Sequence, residues 1–411
     1  MEPESKAHKW QSYSAQALIL FNVWGIPLSF GSYIEFYWNN HLYDEGLFAI
    51  ISIFAMQLFG ILSFSLITGS LLESSRYTEK PILWTAASGV IACQFLLSIC
   101  TKWHQIFIVQ GVVLGICLGM LLVTSTMALA THFDNYISVA STISSSIGPI
   151  GAIVFTITTH FLFQHDDSGF KPSCYANGTL SFVTLGIACM LQRPAYSGPQ
   201  IIRPMLRESL DAMMKEKGMM AFTLGYMCIW SVLLVWPTYI VLYIAQITWP
   251  HTGSTVLLTS LVCTYLAHFF ASKRRILYCW GAVNMVIASS LLCAISYFAF
   301  AFNPSLIVYW VFSPIYFFAM GVVTCLYVRL PPIFTWMGGE MKDDPICMAV
   351  ILTLAGISAV VGQVIVALVI LNTVEGAKMG MVVSGSVMLL GSVSLGVARG
   401  MRNGWGAFYV I

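Results

Sequence analysis

Charge is what this chain has least of. Asp, Glu, Lys and Arg together make up 9% of its 411 residues, and nearly all of them fall between long apolar stretches. Within those stretches Glu35 is the single acidic residue. Chemistry that needs two carboxylates, as in a membrane-embedded acyltransferase or terpene cyclase, therefore has no second partner in lipid. No Gly-x4-Gly-Lys-Ser/Thr string occurs, which removes an ATP-driven pump built on a phosphate-binding loop. The eleven cysteines include no Cys-x-x-Cys pair and no metal-ligand spacing. Most of them, Cys93, Cys117, Cys228, Cys263 and Cys293 included, lie in apolar stretches, where a thiol acts as a small apolar side chain. Cys174 alone falls in an outer loop, and one cysteine cannot staple a loop to itself. No metal or other cofactor is expected. Short alternating apolar and polar segments are missing too, which excludes a membrane β-barrel.

What the chain has instead is length without charge. Hydrophobic residues are 58% of it, and a bilayer core about 30 Å thick needs roughly 20 apolar residues per spanning helix. Such a segment recurs twelve times: Tyr13–Trp38, Gly46–Leu72, Ile82–Thr101, His104–Thr131, Tyr136–Phe163, Ala176–Gln192, Gly218–Ala245, Thr252–Ala271, Ile276–Phe302, Pro304–Val328, Ile346–Leu371 and Met379–Ala398. Helices are required because a lipid-facing backbone must satisfy its own hydrogen bonds. The first run is too long for a cleavable signal and ends in Trp38-Asn39-Asn40, without a small-residue cleavage pattern. The expectation is an all-α polytopic membrane protein with twelve transmembrane helices in two six-helix bundles.

Orientation follows from the basic residues. With both termini cytoplasmic, sixteen of the nineteen Lys and Arg residues lie inside, and only Lys102, Lys171 and Lys378 lie outside. One missed or invented span would scramble that bias. The longest connection, 193–217, carries a basic amphipathic stretch from Arg203 to Lys217 and reads as a cytoplasmic linker with a short surface helix. It separates an N-terminal six-helix bundle, 1–192, from a C-terminal one, 218–411. Net charge is +2, and topology accounts for the basic residues, so no nucleic-acid partner is implied. The expected partners are the lipid bilayer, a small organic solute and, as a candidate coupling ion, a proton.

Several residues stand out against this background. Gly111, Gly115 and Gly119 in span four are spaced i, i+4, i+8, which puts them on one helical face. They serve either close helix packing or a smooth surface along which helices slide, and the two readings are compatible. In span five Ser144, Ser145, Gly148 and Pro149 combine small residues with a missing backbone donor, which suits a bend, a gate or a kinked packing contact. Glu35 lies about one turn from the outer end of span one, beside Tyr33, Tyr37 and Trp38. An ionisable residue in a span is a functional hypothesis by default, yet this one also suits an interfacial anchor that reaches headgroup water. His268, one turn before Lys273-Arg274-Arg275, is either a packed interfacial residue or a proton carrier. Trp236-Pro237-Thr238-Tyr239 joins a kink to aromatic side chains that either line a central cavity or fill a core. Asn177-Gly178-Thr179 is a glycosylation sequon on the outer side, close to span six.

The span-one run Asn22-Val23-Trp24-Gly25 followed by Ser29-Phe30-Gly31-Ser32-Tyr33, the Gln110–Gly119 run and the approach from Met205-Leu206-Arg207 to Phe222 resemble the major facilitator superfamily. Within it they resemble the monocarboxylate-porter-like branch abundant in fungi. Gly69-Ser70-Leu71-Leu72-Glu73-Ser74-Ser75-Arg76 looks like a decayed form of the superfamily's Gly-x-Leu-x-Asp-Arg loop. The resemblance covers the whole chain. It implies a secondary transporter working by alternating access, with spans one, four, seven and ten lining a midplane cavity. Asn22, Trp24, Tyr33, Glu35, Ser145, Trp236, Tyr239 and His268 are the cavity candidates it suggests. Departures bear on the solute. The acidic-Gly-Gly-Tyr-Gly-Trp entry to span one is replaced by Lys9-Trp10-Gln11-Ser12, and Asp134-Asn135 stands where basic residues follow His132-Phe133. Span eight offers Thr255, Thr259, Ser260, Thr264 and His268 in place of the Asp and Arg pair of animal monocarboxylate carriers. That set suits a larger, less charged solute, and fungal relatives of this kind suggest efflux of a secondary metabolite across the plasma membrane. A monocarboxylate-like solute is the other solute class the resemblance implies, and the alternatives to a transporter are a transporter-like receptor or sensor and a membrane-embedded enzyme.

Overall fold

In a computed structural model of the chain, residues 6–74, 79–132, 143–163, 169–192, 214–245, 250–334, 345–373 and 375–403 are described. Twelve helices among them are long and apolar enough to cross a membrane: α1 His8–His41, α2 Leu47–Gly69, α3 Lys80–Leu97, α4 Trp103–Leu129, α5 Ile143–Phe163, α6 Phe170–Leu191, α7 Met219–Ala245, α8 Thr252–Ala271, α9 Ala282–Phe302, α10 Leu306–Leu326, α11 Met348–Asn372 and α12 Gly376–Arg402. No strand occurs among the described residues. The chain is a multi-pass membrane protein. Each expected span has its helix, though α6 starts at Phe170 rather than Ala176, which places Cys174 inside this helix, fully buried, and not in an outer loop. The 193–217 linker lies outside the described residues except for 214–217, and Asp134-Asn135 lies outside them entirely.

Within the first half, α1 packs on α4, α5 and α6, and α2 on α4; within the second, α7 packs on α11 and α12, and α8 on α10. Glycine sets several of these distances. A Cβ on Gly111 would come 3.0 Å from the Ile53 carbonyl, and one on Gly115 would come 2.7 Å from that of Gln57. Gly119 abuts the backbone of Gly60 and Ile61. The predicted glycine face of α4 therefore lies directly on the α2 backbone. Gly148 meets the Trp24 Cβ, so the Gly148-Pro149 pair belongs to the α1–α5 crossing.

Two helices are broken where proline removes a donor. Ser29 in α1 bonds its hydroxyl back to the Ile26 carbonyl at 2.8 Å, beside Pro27. In α7 the turn at Leu233-Leu234 precedes Pro237, and the freed carbonyls find partners on other helices. Tyr297 of α9 donates to the Val232 carbonyl at 2.6 Å, and Tyr316 of α10 to that of Leu233 at 2.7 Å. Both carbonyls are thus satisfied by buried side-chain donors. The two breaks face each other, because a Cβ on Gly31 would stand 2.6 Å from the Pro237 carbonyl.

Candidate solute-binding seam

The halves meet along one seam, which is closed at three levels. The end that holds His8 and Arg402 is called the terminal face. Towards the far face, α1 and α7 cross at Gly31 and Pro237. At mid-depth the Trp24 indole of α1 stacks on Trp230 of α7 with ring centres 6.1 Å apart, and meets Tyr327, just past α10, edge-on at 5.4 Å. Phe222, Tyr226 and Trp230 continue the aromatic column along α7, and Phe222 stacks on Phe334 at 4.2 Å. Towards the terminal face, Ser145 Oγ of α5 lies 3.5 Å from His268 Nδ1 of α8, and His268 Nε2 lies 3.1 Å from Thr324 Oγ1 of α10. The Thr324 proton is directed at the Met320 carbonyl, 3.0 Å away. Nε2–H is then the donor to Thr324, and Nδ1 is left to accept from Ser145. Beside the column, α2 packs on α11, with Ser63 Oγ 3.4 Å from the Thr353 carbonyl.

The midplane cavity expected from sequence is accordingly not open in this conformation. Its place is taken by rings that are almost wholly buried: Trp24 is 3% exposed and Trp230 1%. Two clefts among the described residues lie at the surface. One of about 430 Å³ lies between α9 and α12, and one of about 460 Å³ lies between α5 and α8 near the terminal face.

The candidate residues divide by where they point. Trp24, Ser145 and His268 are brought to the seam. Asn22 turns away from it, donating to Thr184 Oγ1 of α6 at 2.8 Å. Tyr33 likewise belongs to the interior of the first half, where it receives a hydrogen bond from Asn177 at 2.8 Å. Asn177 is 1% exposed, so its amide serves helix packing and is not presented as a loop acceptor for a glycan. Tyr37 bonds to Gln110 at 2.6 Å. Glu35, on the outward side of α1, is partly exposed and has no hydrogen-bond or ion-pair partner among the described residues. Trp236 is a correction to the cavity expectation. It stacks on Phe300 at 3.9 Å and donates to Ser313 at 3.2 Å inside the second half. Tyr239 stacks on Tyr243 there, 5.9 Å away.

Sequence reading missed Trp230, Tyr226, Tyr327, Gln57 and Gln363. The signal for the first two was present, since Phe222, Tyr226 and Trp230 recur at i, i+4, i+8 on one face of α7. Several buried polar atoms along the helices of the seam lack partners: Trp24 Nε1, Trp230 Nε1, both amide atoms of Gln57, Gln363 Oε1 and the Tyr239 and Tyr243 hydroxyls. The Trp24 and Trp230 indoles approach the hydroxyls of Tyr327 and Tyr226, yet neither reaches hydrogen-bond geometry. A buried polar group left unmade costs about 1–3 kcal/mol, and Trp24, Trp230, Gln57 and Gln363 lie on helices that pack across the seam. None of these groups carries a charge. Cations lie at the seam's margin: Arg402 rests 5.6 Å over the Phe334 ring, and Arg329 follows Tyr327 by two residues, its pKa lowered from the ordinary arginine value by burial, with Cys325 acting in the opposite sense.

No family model matches the chain. The MFS-type transporter eupM of Phoma sp. is 28% identical over 51% of this chain and 71% of its own length. The aspyridones efflux protein apdF of Emericella nidulans is 27% identical over 46% of this chain and 39% of its own. Among solved structures, the nucleoside transporter NupG superposes with a TM-score of 0.70, at 14% identity over 94% of this chain and 98% of that one. At that identity the likeness speaks for fold alone. These relatives and neighbours are transporters; the chain is similar to them in sequence over about half its length and shares the twelve-helix major facilitator fold.

Proposed function

We propose that the chain is a secondary transporter that exports a small, uncharged organic solute by alternating access along the seam between its halves. The observation that carries this reading is the seam's chemistry. It combines aromatic faces with buried neutral donors and acceptors, and the ring contacts at its mid-depth level involve only uncharged side chains. A neutral molecule with flat apolar faces and carbonyl or hydroxyl groups would satisfy Trp24 and Trp230 at once. A small carboxylate would need a cation there. Efflux is favoured over uptake because curated relatives include an aspyridones efflux protein. Export from the cell would place the protein in the plasma membrane, with the terminal face towards the cytoplasm, the orientation that the distribution of basic residues favours.

The test is untargeted metabolite profiling of a fungal or yeast host with and without the protein, comparing cells and medium. The expected result is one or more uncharged aromatic or polyketide-like compounds moving from cells to medium, with Trp24→Ala reducing the movement at unchanged protein level. An exported set made up of small carboxylates, or no redistribution at all, overturns the reading.

A further inference from the structure

We propose that the cleft between α5 and α8 is a binding site for an anionic phospholipid of the leaflet at the terminal face. The cleft, about 460 Å³, crosses the line between the halves, taking Ile143 and Ile147 from α5 and Tyr265 and Phe269 from α8. Ile143 is 41% exposed and Phe269 54%, so the walls present apolar surface where an acyl chain lies. One end of the cleft is polar, formed by Tyr13 of α1, Ser146 and Ser272, and it is closed by Lys273. The Lys273 ammonium rests 4.6 Å over the Phe269 ring, which holds the cation at the mouth of the apolar groove. Among the described residues no acidic side chain lines the cleft, and Arg275 adds a second exposed cation just beyond it.

Depth agrees with this chemistry. Lys273 follows the end of α8 and Tyr13 lies near the start of α1, so the polar end is at headgroup level. Trp10, packed edge-on against Tyr13 at 5.6 Å, is an aromatic residue of the interfacial kind at the same level. The charge complement is a phosphate group, the apolar complement a chain of methylenes, and a glycerophospholipid joins the two at this spacing. A lipid seated there touches α1 and α5 of one half and α8 of the other. It therefore ties the halves together at this face, next to the contact between Ser145 and His268.

The experiment reads lipid retention directly and needs no transport substrate. The full chain is purified, reconstituted in nanodiscs containing phosphatidylcholine with phosphatidylserine, and released into native mass spectrometry to count bound lipids. Wild type is expected to retain phosphatidylserine in preference to phosphatidylcholine. Lys273→Gln should lower that preference about fivefold, the effect of one basic residue at an anionic surface. Lys378→Gln, an exposed lysine at the far face, should leave it unchanged. Phe269→Ala should reduce retention of both lipids. If it fails to fold, the two lysine variants, both at exposed positions, decide alone. An unchanged preference in Lys273→Gln, an equal fall in Lys378→Gln, or displacement of the lipid by inorganic phosphate alone each overturns the proposal.

Discussion

Replacing Gly115 with alanine adds one carbon where the structure leaves no room for it. The new Cβ would stand 2.7 Å from the Gln57 carbonyl oxygen and 2.9 Å from its Cα. Ordinary van der Waals contact begins near 3.4 Å, so α2 and α4 must separate locally by about 0.7 Å, and the obstacle is backbone that cannot rotate away. Overpacking of this kind costs about 1–3 kcal/mol. Alanine's better helix propensity returns up to about 1 kcal/mol. The net expectation is a loss of about 1–2 kcal/mol, with Gly115→Leu worse. The control is internal: Gly186 on α6 has nothing within 4 Å of its ideal Cβ, so Gly186→Ala should be neutral or slightly stabilising. Both variants and wild type are compared by thermal unfolding in one detergent, followed by intrinsic fluorescence. Equal melting of Gly115→Ala and Gly186→Ala would refute the claim that this face of α4 is packed on the backbone.

Asn177 should carry no glycan, so endoglycosidase should leave the electrophoretic mobility of protein from a glycosylating host unchanged. Asn177→Ala should cost about 1 kcal/mol through the lost hydrogen bond to Tyr33. His268→Ala removes the polar link between α5, α8 and α10 and should loosen the terminal face. Peptide mapping after treatment with a permeant maleimide should then show faster labelling of Cys325, which is 2% exposed, with no change at Cys174, buried within the first half. Glu35→Gln should leave the pH dependence of efflux as it is in wild type, because glutamine keeps the shape and hydrogen-bonding capacity of an anchor; lost pH dependence would instead assign proton coupling to this carboxyl.

Sequence carried the architecture well because the signal for a spanning helix is additive over about 20 residues. The glycine face of α4 was legible for a related reason, since i, i+4 spacing fixes a face without any knowledge of the neighbour. Composition could not say which way an aromatic side chain points. Trp24 and Trp236 look alike in sequence, each close to a helix break and to small or hydroxyl residues, yet one closes the seam and the other fills the core of the second half. Tyr33 and Tyr37 likewise turn inward to Asn177 and Gln110, leaving Glu35 without the neighbours that its position in the chain suggests. Missing partners are still harder to read. The unpaired state of Gln57 depends on helices far away in the chain, and no local pattern announces it.

A seam packed this closely is compatible with transport only if little free energy holds it shut. Trp24 makes two ring contacts across the halves, with Trp230 and Tyr327. Each aromatic pair is worth about 0.5–1.5 kcal/mol beyond its burial, so together they favour closure by about 1–3 kcal/mol. Against them stand the indole N–H groups of Trp24 and Trp230, which approach the Tyr327 and Tyr226 hydroxyls without a full hydrogen bond and so cost up to about 1–3 kcal/mol each while they stay buried. The two contributions are of the same size and opposite sign. A solute that slides between the indoles replaces the ring contacts with its own faces and supplies the acceptors the closed state lacks. It therefore binds the opened seam better than the closed one, and that difference in affinity is what a ligand needs to shift a conformational equilibrium. A solute with flat faces but no acceptor regains the stacking and leaves both N–H groups unpaired, so it should open the seam far less well.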